Sequence, residues 1–117
     1  MYDGIKMKIY NVLALALKHN GEYVLGSADL HTHACYFIYG VLTPGEKGKP
    51  IKPGKGHEEI VCLIEGEVFL RGDTETFSLR QGQAFYLKGE ETYLMDNNGK
   101  DNAVYVISGG HSERHMH

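Results

Sequence analysis

The chain has 117 residues, 12 basic against 15 acidic side chains, a formal net charge of −3 and 42% apolar residues. That length and balance fit one globular domain and exclude disorder, charge-driven nucleic-acid binding and an acidic tail. No apolar run approaches the ~20 residues that cross a bilayer, and "VLALAL" at 12–17 is too short for the core of a signal peptide.

In chain order, "NVLALALKHNG" reads in two ways. It is either a short helix capped by Gly21 or half of a hairpin turning at Asn20-Gly21. After it, short β-branched and aromatic runs alternate with glycine-rich breaks: "EYVLGS", "THACYFIYGVLT", "EEIVCLIEGEVFL", "TETFSL", "QAFYLKG", "ETYLMDN" and "NAVYVISG". The separators "TPGEKGKPIKPGKG", "RGDTE", "RQGQ" and "NNGKDN" carry turn chemistry. The pattern predicts an all-β domain of about eight strands, a sandwich or a barrel. Cys35 and Cys62 sit far apart in apolar runs, which predicts two reduced core thiols in a cytoplasmic protein.

From "HEEIVCLIEGE" onward the chain resembles a cupin. Glu59 and Gly66 keep the spacing of the first cupin motif, "CLIEGEV" is similar to that family's hairpin turn, and "YGVLTPGE" resembles its lead-in. The frame of the second motif falls on Gly82, Lys88, Glu90, Tyr93 and Asn97. The resemblance covers roughly residues 34–110 and implies a double-stranded β-helix, a jelly-roll barrel in a single domain. Residues 1–33 would then supply first strands and a dimer contact, and 111–117 a histidine-containing tail.

The resemblance also implies a metal held by a His-x-His, the glutamate of the first motif and the histidine of the second. Here the His-x-His falls on Pro53 and Lys55 or on Lys52 and Gly54, and the last histidine is Tyr93. Only Glu59 remains, and one carboxylate does not hold a transition metal. No cofactor is therefore favoured. The alternative is a divalent metal (Zn, Ni, Fe or Mn) in a site rebuilt from His31, His33, His57 and Glu59, since each close pair would share a strand face. In the tail, His111 and His115 have a metal-capturing spacing on a helix, with His117 beyond them, although a solvated tail is the plainer expectation.

Lys47, Lys49, Lys52 and Lys55 precede the strand of Glu59 and would rim the barrel mouth, drawing carboxylate or phosphate groups. Tyr93, expected to point inward beside Glu59, would serve as a general acid next to a base whose pKa burial raises. Tyr39 and Tyr86 would join Lys52, Lys55 and His57 in binding a ligand. Packing is the default for the remaining tyrosines.

Three functions stay open. The first and favoured is a metal-free barrel binding a small, anionic metabolite such as a sugar acid. The second is a metal-independent isomerase, epimerase or lyase using Glu59 and Tyr93, and the third a metal-dependent isomerase or dioxygenase. Edge strands predict a homodimer joined through "MKIYNVLALAL", with no nucleic-acid or membrane partner.

Overall fold

Asn11 decides the first element. Its side chain accepts a hydrogen bond from the Ala14 N–H at 3.0 Å and caps helix α1, Val12–Lys18, so the helical reading of this segment holds. The chain leaves the helix through Asn20 and Gly21, at φ 60° and 95°. Gly21 is needed there, because a Cβ would also lie 2.9 Å from the Val41 carbonyl oxygen. The computed structural model describes residues 7–113, so His115 and His117 lie outside the described residues.

Nine strands and a second short helix follow: β1 Glu22–Leu25, α2 Ser27–Leu30, β2 Cys35–Leu42, β3 Lys49–Ile51, β4 Gly54–Glu65, β5 Glu67–Arg71, β6 Thr76–Arg80, β7 Ala84–Gly89, β8 Tyr93–Asp96 and β9 Ala103–His111. They form a five-stranded sheet, β1-β2-β9-β4-β7, and a four-stranded one, β3-β8-β5-β6. From β2 onward the chain passes back and forth between the sheets. The result is an antiparallel jelly roll, the all-β class expected from the strand pattern in the form the cupin resemblance implied.

Two boundaries depart from the sequence reading. The lysine-rich stretch 43–56, read as one loop, contains β3, an edge strand on β8 whose Pro50 is exposed while Ile51 is buried at 3%. An edge position tolerates the missing proline N–H. In addition β4 begins at Gly54, with a register shift before Glu58 and positive φ at Gly54 and Gly56. β9 likewise runs through His111, which is therefore strand and not tail.

Period-two alternation fills the space between the sheets. Val61, Leu63, Val68, Leu70, Leu79, Leu87, Met95 and Tyr105 face inward and are essentially inaccessible. Phe77, Phe85 and Tyr93 close the gap between edge strands β6 and β7, with edge-on ring contacts at 5.1–5.6 Å. The cysteines break the expectation of core thiols: Cys35 is exposed at the start of β2 and Cys62 is half-buried. Cys62 falls on the outward parity between buried Val61 and Leu63. Both are free thiols. Among the described residues no helix is long and apolar enough to cross a membrane.

Two polar anchors tie the loops to this core. Asn97, 1% exposed, donates to the carbonyls of Leu42 (2.8 Å) and Asp101 (2.9 Å) and accepts from the Gly99 N–H at 2.9 Å. It thereby pins the end of β2 to the β8–β9 loop. Asp96, 6% exposed, accepts two bonds from Arg71, at 2.8 and 2.9 Å, and one from the Gly48 N–H at 2.8 Å. The Arg71 guanidinium holds that carboxyl below the usual range.

Replacing Arg71 by Met is expected to destabilise the fold at neutral pH, because a nearly buried carboxylate loses two of its donors. A depressed carboxylate pKa contributes stability above the unfolded-state value and loses it as pH falls through the folded value. Denaturant melts should therefore show the Arg71→Met deficit shrinking as pH is lowered through and below the usual aspartate range. Separately, Gly40→Ala should lower the melting temperature sharply, since the new Cβ would sit 2.0 Å from the Tyr105 ring.

Candidate functional site at the barrel mouth

Glu59 lies on β4 with the inward parity of Val61 and Leu63 and is 5% exposed. Burial pushes its carboxyl pKa up, and the bond from Tyr36 and the nearness of His57 only partly counter this. The Tyr36 hydroxyl donates to Glu59 Oε2 at 2.6 Å. That phenol is itself raised by burial and by its carboxylate partner.

The geometry of this pair follows from strand register. Tyr36 on β2 and Glu59 on β4 each stand opposite Gly109 of the intervening β9. A Cβ on Gly109 would lie 2.4 Å from Tyr36 Cζ, so the ring lies across β9 only because that strand carries a glycine there. The phenol thus spans a strand to reach the acid.

Beside this pair, His57 of β4 stands opposite His111 of β9, with ring centroids 4.9 Å apart. The His57 ring is 6.0 Å from that of Tyr36. Together with Val24, His33 and Cys35, these side chains line a hollow of about 310 Å³ between the β2–β9–β4 end and the α2 turn. Its polar groups include two facing imidazoles, a third from the α2–β2 loop, the phenol, and the hydroxyl residues Ser27 and Thr32; Val24 and Gly26 add an apolar wall. The imidazoles offer N–H donors to an acidic guest, while the Tyr36 hydroxyl is already engaged with the Glu59 carboxylate. A larger hollow of about 500 Å³ lies by the Gly66 turn and loop 97–101 and includes none of these residues.

The sequence-derived candidates are distributed differently from expectation. Tyr93 has the inward parity of Met95, yet its ring packs on Phe77 and Phe85 and its hydroxyl donates to Glu75 at 2.7 Å. That bond pushes its pKa up to about 12. Tyr93 is therefore partnered with Glu75, and Tyr36 takes the place beside Glu59. Tyr39 alternates with core-packed Ile38 and so faces outward, and Tyr86 is 55% exposed and bonded to Glu58 at 2.7 Å. Neither can line an interior cavity.

The lysines do not form a rim over the hollow. Lys49 pairs with Glu22 and Lys52 with Glu90, each at 3.0 Å, and Lys55 is exposed. None of them lines the hollow. The rebuilt metal set does not assemble either. His31 is exposed at the left-handed cap of α2 (φ 58°) and His33 is in the loop before β2, so the two do not share a strand face. Among the described residues no group of three or more His, Cys, Asp or Glu side chains is placed to hold a metal ion. Residues that fit the four-donor set of metal-binding cupins are thus not brought together.

Two participants escaped the sequence reading. Tyr36 carried no motif, and its only signal is the pair Gly109-Gly110 in a strand of β-branched residues, which marks a close approach. His111 looked like tail because it follows those glycines.

No protein-family model matches the chain, and no curated protein matches it. Solved structures do. A cupin protein from Bacteroides fragilis superposes with a TM-score of 0.70 at 15% identity, over 100% of this chain and 92% of that one. A predicted oxalate decarboxylase from Thermotoga maritima gives 0.65 at 18% identity, covering 78% and 81%. An oxalate oxidase gives 0.63 at 24% identity, covering 79% of this chain and 52% of its own. With the strand order and the inward Glu59 already in view, these likenesses identify the architecture: the chain has the cupin fold.

Proposed function

We propose that the protein binds a small anionic metabolite, a carboxylate or sugar acid, in the hollow at the barrel mouth and without the four-ligand cupin metal site. The observation carrying this reading is the facing imidazole pair His57–His111 beside Tyr36. Next to it lies Glu59, whose carboxyl pKa is raised by burial. The imidazole N–H groups beside the Tyr36–Glu59 pair suit an acceptor-rich guest. The hollow's volume, about 310 Å³, suits a compact acid. The working form in this proposal is a cytoplasmic homodimer with no nucleic-acid partner. It is supported by the free thiols, the small net charge and exposed apolar side chains such as Ile60 and Leu17.

A second reading is favoured by the same raised pKa: metal-independent proton transfer, with Glu59 as the acid/base and Tyr36, in place of Tyr93, as its hydrogen-bonding partner.

The binding reading is tested by calorimetry and thermal shift of tag-free protein with oxalate, malonate, 2-oxo acids and sugar acids. At least one should raise the melting temperature and titrate to a single site. His57→Ala with His111→Ala should weaken it at least tenfold, about 1.4 kcal/mol. Gly109→Ala, which drives the Tyr36 ring off Glu59, should weaken it too. A full panel without a shift, or unchanged binding by the double variant, refutes the reading.

Glu59 gives a separate test, on stability. A raised acid pKa means that the folded state binds the extra proton, so stability falls as pH rises from the unfolded-state value through the folded one. Glu59→Gln keeps an acceptor for Tyr36 and removes that charge. The variant should melt a few degrees above wild type in neutral buffer, with the gain fading as pH falls to the ordinary glutamate range.

A further inference from the structure

The larger hollow, about 500 Å³, lies by the Gly66 turn, at the far end of β4 from His57 and roughly 30 Å along the strand. Its aromatic residue is Phe69 of β5. Val68 and Leu70 on either side are buried and face inward, so alternation turns the Phe69 ring to the outer face of the four-stranded sheet. Phe77 and Phe85 pack against the core, whereas Phe69 is not among the side chains that do. It stands opposite Ser78 on β6 and Asp96 on β8. Asp96 is taken up by Arg71 and Gly48, which leaves Ser78 as the neighbour that faces the hollow. Two turns make the walls, and both are fixed before any guest arrives. Gly66, at φ 88°, packs so closely that a Cβ would come 3.0 Å from the Ala103 Cα and the Asn102 carbonyl oxygen. The loop 97–101 is held by the three hydrogen bonds of buried Asn97. A prebuilt wall spares the ordering cost that weakens binding to loops.

We propose that this hollow is a second ligand site, separate from the mouth, and that it takes a neutral sugar ring stacked on Phe69. The chemistry of the lining selects the guest. Glu67, Asp101, Lys100 and Asn98 stand with Ser78 around the ring, and Arg80 lies 3.6 Å from Glu67. Two acids against two bases leave no net charge to draw an ion. An anion would meet the two carboxylates and an amine the two cations. A purely apolar guest would strip water from these groups without replacing its hydrogen bonds. A neutral polyol suits them all, because each hydroxyl donates to carboxylates and accepts from ammonium and carboxamide N–H groups. The C–H face of a pyranose covers the flat Phe69 ring, whose π face is negative. The volume lies within the range of small-molecule sites, about 300–1,000 Å³. Failure of the mouth to bind an anion would leave this site untouched.

The test is titration of the full-length, tag-free chain, followed by amide NMR shifts and calorimetry. The probes are methyl glycosides and neutral di- and trisaccharides of glucose, galactose, mannose, xylose and N-acetylglucosamine, with oxalate and glycine as the charged comparisons. At least one neutral sugar should titrate to a single site, and the amides it shifts should cluster at 66–69, 78 and 97–101. Phe69→Leu, which keeps an apolar side chain and removes the flat face, should weaken that sugar at least tenfold. Asp101→Ala should weaken it too, since the carbonyl that holds Asn97 is kept. Ile60→Ala, on the outer face of the other sheet, should leave the affinity unchanged. Circular dichroism and the melting temperature check that each variant stays folded. A panel without a binding sugar, or an affinity indifferent to both Phe69→Leu and Asp101→Ala, overturns the proposal. So do shifts confined to residues 33–36, 57 and 111, which would put the sugar in the mouth. Glycine or oxalate filling the Phe69 hollow where no sugar does also overturns it.

Discussion

One packing device recurs in this barrel and most of its polar interior depends on it: a tyrosine laid over a glycine to reach a glutamate. Tyr36 crosses Gly109 to Glu59, and Tyr105 crosses Gly40 to Glu22, whose Oε2 it meets at 2.6 Å. Tyr93 crosses Gly72 to Glu75. In the first two cases register makes the arrangement inevitable, since tyrosine and glutamate stand on strands either side of the glycine and opposite it. A side chain on the middle strand would occupy the space of the ring. Without the glycine the phenol could not arrive, and Glu59 would be buried without that donor.

The same device serves structure in one place and sets up chemistry in another, and the difference is the second partner of the acid. Glu22 also meets the Lys49 ammonium at 3.0 Å, so its charge is balanced and it stitches β1 and β3 onto the barrel. Glu59 has a phenol and, nearby, an imidazole, and these do not offset the cost of its burial. A carboxyl whose pKa burial raises, beside a hollow edged by imidazoles, is where a guest can change the local balance. Asp96 is the opposite case: with a bidentate guanidinium its charge is fixed, and it belongs to the scaffold.

Much of the architecture was legible because it rests on local chemistry. The glycine-rich breaks announced the turns and the β-branched and aromatic runs most of the strands, while "NVLALALKHNG" allowed a helix or a hairpin until the Asn11 cap decided for the helix. Glu59 was legible as an inward acid, and Asn97 as a marked position, through the resemblance of their surroundings to the two cupin motifs. β3 stayed hidden because it is short, carries a proline and owes its existence to pairing with β8. The lysine rim failed for a related reason: acids distant in sequence, Glu22 and Glu90, claim two of those charges.

The sequence by itself therefore determined most of the strands and turns and, through the family resemblance, Glu59 as a buried acid and the replacement of the His-x-His residues, since each depends on the identity and spacing of near neighbours. Only the tertiary structure decided which tyrosine meets Glu59, that His57 faces His111, that Tyr39 and Tyr86 point outward, and that His31 caps a helix far from any ligand set. Those outcomes turn on cross-strand register and on bulges such as that before Glu58. A one-residue slip of register exchanges the two faces of a strand, and no local pattern in the chain records it.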